Sequence, residues 1–187
     1  MTSLPFVIDN QRHLMSDVLN ALLAQHQGQS LDIATAYFNV GGWQILHQGL
    51  QRLGSFRLLL GDEPEEGTDL GLREGGAHAV RGLIHELAEA TFNEHTLRLV
   101  EDLTAFLHRE QVQVRLYTRG FLHAKCYLFY RGSGLEHFDP LAAVVGSSNF
   151  TRAGLASNKE LNLVHRANLQ SSEIAPELVR GLMEHAE

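Results

Sequence analysis

The segment GSSNFTRAGLASNKELNLV (Gly146–Val164), read with LHAKCYLF (Leu122–Phe129), decides the fold and what is built on it. Leu122–Phe129 is a short apolar run without glycine or proline, and it reads as a strand. Side chains at i and i+2 of a strand share a face, so His123 and Lys125 project side by side. Ala124, Cys126 and Leu128 then turn the other way, into packing. Lysine occurs only at positions 125 and 159, and of the 11 histidines only His123 has a lysine two residues later. A nucleophile or base beside a fixed positive charge suits an anionic diester. Downstream, the apolar strand Leu141–Val145 runs into Gly146-Ser147-Ser148-Asn149. A glycine followed by hydroxyls and an amide lets donors approach phosphate oxygens closely. Thr151–Gly154 makes a turn, and Ser157–Lys159 leads into a last strand, Glu160–Val164. Glu160 is placed to accept a hydrogen bond from a histidine ring and fix its tautomer.

Outward from this region the chain alternates. Leu14–Gln25 has helical apolar spacing, Leu31–Phe38 reads as a buried strand, Trp43–Leu53 as a helix and Phe56–Leu60 as a strand. Asp62–Asp69 is an acidic loop. Ala77–Ala90 and Asn93–Arg109 are amphipathic, the second capped by Asn93. Val112–Tyr117 begins a cluster of closely spaced strands, and Glu173–His185 is a closing helix. The fold class is α/β: a mixed β-sheet flanked by helices on both faces. With no repeat or linker, residues 1–187 form one domain, and the abrupt ending is compatible with its being the N-terminal module of a longer protein.

A 44% hydrophobic, 20% charged composition marks an ordinary globular chain. No apolar run reaches the ~20 residues of a membrane span, and the first residues lack the pattern of a secretory signal. One cysteine, Cys126, precludes an internal disulfide and a Cys-rich zinc site. These features predict a cytoplasmic protein. The formal charge of −7 is unevenly spread. Residues 1–110 carry 7 arginines and 15 acidic residues, whereas residues 111–166 carry 7 basic and 3 acidic ones. That balance excludes a broad basic coat for nucleic acid but permits a small basic cleft.

His123-x-Lys125, Gly146-Ser147-x-Asn149 and Glu160, eleven residues beyond Asn149, together resemble the signature of the phospholipase D superfamily. Gly146–Val164 is especially similar to the bacterial nuclease and helicase-associated branches. The motif covers residues 123–164. The family's aspartate, five residues after the lysine, is replaced here by Tyr130. Counted back from Gly146, Asp139 takes the equivalent place, after a longer hairpin loop at 131–138. The resemblance implies a phospholipase D-like fold and metal-independent phosphodiester cleavage without a cofactor. His123 would be the nucleophile, forming a phosphohistidine, and a second histidine would be the acid and base. Lys125 and Asn149, with Ser147 or Ser148 assisting, would hold the non-bridging oxygens, and Glu160 would orient the histidine. One His-x-Lys per chain implies a homodimer with a shared active site.

Singly, each residue has an ordinary explanation: a packed histidine, an edge-strand lysine, turn-forming serine and asparagine, a solvent-facing glutamate. Jointly these explanations are poor. Arg115, Arg119 and Arg152 are candidate contacts to a polyanion, Arg152 being the one nearest the motif. Trp43 and Phe38 read as core; Phe150, beside the motif, reads as packing, with stacking on a base as its alternative. The leading expectation is a nuclease acting on DNA or RNA, with a helicase domain or partner and no membrane. The alternatives are a non-catalytic nucleic-acid-binding or dimerisation module of a helicase or defence system, favoured by Tyr130 and the net charge, and a phospholipid or nucleotide-diester hydrolase.

Overall fold

Runs that stay apolar at nearly every position, instead of alternating, build the centre of the sheet. Such runs belong to strands covered on both faces. The computed structural model describes residues 4–61, 94–120, 122–133 and 140–167. Within these, the strands are β1 (Val7–Ile8), β2 (Ser30–Thr35), β3 (Ser55–Gly61), β4 (Val112–Tyr117), β5 (Lys125–Tyr130), β6 (Pro140–Gly146) and β7 (Asn162–Arg166). They form one mixed sheet in the order β1-β7-β6-β5-β2-β3-β4. The β2–β3 and β3–β4 pairs are parallel, and the remaining pairs are antiparallel. β5, whose six residues are all buried, lies between β2 and β6.

The described helices are α1 (Met15–Gln25), α2 (Val40–Leu50), α3 (Glu94–Leu107) and the short α4 (Arg152–Ala156). The apolar stripes of α1 and α2 meet Ile33, Leu58, Tyr127, Phe129 and Val144 in one core on one face of the sheet. Trp43 stacks on Phe106 of α3 with ring centroids 4.7 Å apart, and Phe56 joins them. Burying each such large side chain stabilises the fold by roughly 1.5–3 kcal/mol. The opposite face has its own buried cluster: Ala34, Cys126, Leu128, Tyr130 and Ala143. Beside it lies an Asp32–Arg57 ion pair across β2 and β3, with Arg57 Nε donating to Asp32 Oδ1 at 2.9 Å. The mixed sheet flanked by helices agrees with the sequence pattern. The acidic loop at 62–69, the helices expected at 77–90 and 173–185, Asn93, and the segment 134–139 with Asp139 lie outside the described residues.

Three strand boundaries differ from the pattern by two residues or more at the functional end of the sheet: β2 ends at Thr35, not Phe38, and two strands begin late. β5 begins at Lys125, not Leu122, and β7 begins at Asn162, not Glu160. The cause is the ladder: β2 ends at Thr35, opposite Lys125, and β6 ends at Gly146, opposite Asn162. Beyond those pairs there is no neighbouring strand to bond, so His123 and Glu160 stand in irregular backbone just outside the sheet. α2 starts three residues earlier than the spacing predicts because Asn39 caps it, its Oδ1 accepting from Gly42 N at 2.8 Å.

Candidate active site

Strand register explains why motifs far apart in sequence meet. Thr35 pairs with Lys125, Cys126 with Val145, and Gly146 with Asn162. The C-terminal ends of β2 and β6 and the N-terminal ends of β5 and β7 therefore form one row at a single end of the sheet. His123 precedes that row by two residues on the β5 side and Glu160 by two on the β7 side. Ser147, Ser148 and Asn149 follow it on the β6 side.

Lys125 is the unusual member. It is only 6% exposed, on the face that continues into Tyr127 and Phe129. Its ammonium donates to the His123 carbonyl at 2.9 Å. Burial lowers its pKa from the ordinary lysine value, and the nearby Glu160 carboxylate partly offsets that. An ammonium has three donors, so the bond to His123 leaves two. His123 itself is exposed.

The Gly146–Asn149 turn is held from several sides. Ser147 N donates to Leu161 O at 3.1 Å, and Leu161 N returns a bond to Ser147 Oγ at 2.9 Å. Ser148 is wholly buried, its N–H donating to Asn162 Oδ1 at 3.1 Å and its hydroxyl accepting from Asn162 Nδ2 at 2.8 Å. Tyr127 Oη donates to the Ser148 carbonyl at 3.1 Å. Gly146 has no room for a side chain, because a Cβ there would sit 2.2 Å from Leu161 O. Asn149 is half-buried, and its Oδ1 accepts from Tyr37 N at 3.2 Å and from Thr35 Oγ1 at 3.3 Å. A backbone N–H can meet only the oxygen of an amide, so the Nδ2 group is the donor that Asn149 presents elsewhere. Asn158 Nδ2 donates to Glu160 Oε1 at 3.4 Å.

The sequence-predicted residues divide by position. His123, Lys125, Ser147, Asn149 and Glu160 share the end of the sheet. Ser148 is there too, but inside the packing. Arg152 opens α4, where its backbone N–H donates to Asn39 Oδ1 at 3.0 Å and its guanidinium bonds the Gln44 amide oxygen. Tyr130, at the place of the family's aspartate, is wholly buried in the second-face cluster. Burial and the adjacent Asp32 carboxylate push its phenol pKa up. Phe150 packs edge-on against Phe38 at 5.0 Å and is 1% exposed, as expected of core.

Three polar residues were missed in the sequence: Thr35, Asn162 and Asn10. Asn162 and Thr35 had a weak signal, a polar side chain with an apolar neighbour on each side (Leu161-Asn162-Leu163 and Ala34-Thr35-Ala36). Asn10 had none. It is buried with φ +55°, a left-handed conformation that asparagine tolerates. Its Nδ2 donates to Gly154 O and Asn158 O, tying the N-terminal turn to the loop before Glu160.

Among the described residues no group of three or more His, Cys, Asp or Glu could hold a metal ion. No described helix is long and apolar enough to cross a membrane. A family model described as "Cardiolipin synthase, PLD-like domain" matches residues 19–181. Among solved structures, the phosphatidylserine synthase of Haemophilus influenzae is similar with a TM-score of 0.57 and 16% identity, over 99% of this chain and 39% of that one. NucT from Helicobacter pylori aligns with a TM-score of 0.49 and 11% identity, over 91% of this chain and 86% of that one. Nuc from Salmonella typhimurium, described as a phospholipase D family member, aligns with a TM-score of 0.46 and 14% identity, over 88% and 82% of the two chains. No curated protein sequence matches.

Proposed function

The chain belongs to the PLD-like domain family, and from that premise we propose that it is a metal-independent phosphodiesterase that cleaves nucleic acid in a two-fold dimer. The observation supporting this is the row at the end of the sheet, where a buried ammonium and an exposed histidine on the β5 side meet an oriented amide that follows β6. In the proposed cycle a ring nitrogen of His123 bonds phosphorus, and the bond from phosphorus to the leaving oxygen breaks. His123 of the partner subunit gives that oxygen its proton. The same partner imidazole then takes a proton from water, whose oxygen displaces the phosphohistidine nitrogen. Lys125 and the Nδ2 of Asn149, with the Ser147 hydroxyl, stabilise charge on the non-bridging oxygens. Ser148 acts through Asn162 on the shape of the turn. Glu160 balances Lys125 and orients the imidazole. Each chain has one His-x-Lys, so the second histidine comes from an isologous contact that presents the same patch twice.

The excess of basic residues in 111–166, including the exposed Arg115, Arg119, Arg152 and Lys159, suits a polyanion such as nucleic acid; an anionic lipid surface meets the same charges, so the test includes one. The test is cleavage of single- and double-stranded DNA and RNA in EDTA, alongside vesicles of phosphatidylglycerol, with the oligomeric state measured by sedimentation. The expected result is a dimer that cuts a nucleic acid and spares the lipid. Turnover of the lipid alone overturns the substrate class. A monomer that still cuts overturns the shared site, and a folded dimer that binds DNA without cutting any substrate turns the reading to a binding module.

Burial makes Lys125 a separable element. A lysine whose folded pKa lies below its unfolded one carries a cost while both states are charged, and that cost is relieved as pH rises from the folded pKa towards the unfolded one. Lys125→Met keeps the length and removes the charge. Its thermal midpoint at neutral pH is expected to equal or exceed the native one, and any gain should shrink in alkaline buffer. Turnover should fall by about 10²–10³. A variant that is both unstable and active would show that Lys125 is structural.

A further inference from the structure

We infer that Thr35 is a positioning residue for phosphodiester cleavage, holding the Asn149 amide so that its Nδ2 faces the phosphoryl group. This rests on the functional reading above. Thr35 is the last residue of β2, wholly buried, and opposite Lys125 in the register. Its hydroxyl accepts from Phe150 N at 3.0 Å and lies 2.9 Å from Tyr37 O and 3.3 Å from Asn149 Oδ1. One oxygen thus joins β2, which carries no motif residue, to Asn149 at the end of the Gly-Ser-x-Asn turn and to Phe150 directly after it. A parallel bridge between Phe38 and Phe150, with Asn39 N donating to Phe150 O, carries the connection one step further.

The consequence is specific. Without the hydroxyl, Phe150 N–H loses its acceptor, and Tyr37 O and Asn149 Oδ1 lose the one proton that lies between them, so the Tyr37 segment and the amide it holds can both shift. The substrate would still bind through Lys125, but the donor meant for the transition state would be misplaced. The loss therefore falls on kcat more than on KM.

The experiment uses the full chain with bis-para-nitrophenyl phosphate as substrate and orthovanadate as a second probe, a mimic of the five-coordinate transition state. Asn149→Ala is expected to lower kcat by about 10² or more. Thr35→Val should lower it about tenfold, with KM near native and orthovanadate affinity reduced in parallel, while Thr35→Ser restores both. If Thr35→Val does not fold, Thr35→Ala is read in its place. Adding Thr35→Val to Asn149→Ala should cost nothing further in kcat, because both act through one amide. The inference is overturned if Asn149→Ala is slow but Thr35→Val keeps native kcat and orthovanadate affinity, or if Thr35→Ser fails to restore them. If Asn149→Ala and the native chain are indistinguishable, or the native chain neither turns over the diester nor binds orthovanadate, the functional reading fails and this inference with it.

Discussion

Replacing His123 by alanine is expected to lower kcat by roughly 10⁴-fold or more, as removal of a covalent nucleophile does. Stability should change by less than about 0.5 kcal/mol. His123 is exposed and lies outside the strands, and the atom that the neighbouring lysine uses is its backbone carbonyl, which alanine retains. Substitution of an exposed residue outside the regular elements usually changes stability little. The shared-site reading adds a second expectation. A dimer of one native and one His123→Ala subunit lacks either the nucleophile or its acid at every site. When subunits are mixed and re-equilibrated, activity should follow the square of the native fraction, not the fraction itself. A linear dependence would mean that each chain works alone, and substantial turnover by the pure variant would remove His123 from the chemistry. A phosphorus–nitrogen adduct, labile in acid and absent from the variant, is the matching chemical signature.

Why some of this was legible in sequence and some was not follows from the range of the interactions. β5 and β6 are dense apolar runs, and a covered strand needs little else to be recognised. The closeness of His123 and Lys125 was visible because two residues apart is a local relation, but the shared strand face expected for the two side chains is not there: the strand begins only at Lys125, which is buried and bonds the His123 carbonyl, while His123 is exposed before it. Where β5 begins was not, since that depends on β2 ending at Thr35, a residue ninety positions earlier that no local pattern connects to it. For the same reason the expected strand at Glu160 begins two residues late. The helix at α2 was recognised from its apolar face, but its start was set by Asn39, whose single oxygen also accepts from Arg152 N. Spacing identified Ser147, Ser148 and Asn149 as a group and could not divide them. Only burial distinguishes Ser148, locked inside the packing, from Ser147, which is exposed. Thr35 and Asn162 carried a weak signal as polar residues with an apolar neighbour on each side. Their partners lie across the sheet, so the strand order β7-β6-β5-β2 had to be known before either could be assigned a task.

Asn162→Leu is expected to be among the most damaging substitutions to the fold, although the new side chain is apolar and similar in size. The Asn162 side chain is 1% exposed and serves two groups of Ser148, itself wholly buried. Leucine would leave the Ser148 N–H without its acceptor and the Ser148 hydroxyl without its donor. A buried polar group left unpaired costs about 1–3 kcal/mol, so two cost about 2–6 kcal/mol. Whole domains are stable by only about 5–15 kcal/mol. The urea midpoint should fall steeply at an unchanged m-value. Ser148→Ala strands only the Asn162 amino group and should cost about 1–3 kcal/mol. The two changes touch one network, so combining them should cost less than their sum, because the second removes a group that the first left unpaired. Activity should suffer as well: Ser148 joins Ser147 to Asn149, and a turn that loses its anchor in β7 cannot hold either residue against the substrate. If Asn162→Leu proves neutral in urea, Ser148 has found other partners, and the turn is held by Tyr127 and Leu161 without help from β7.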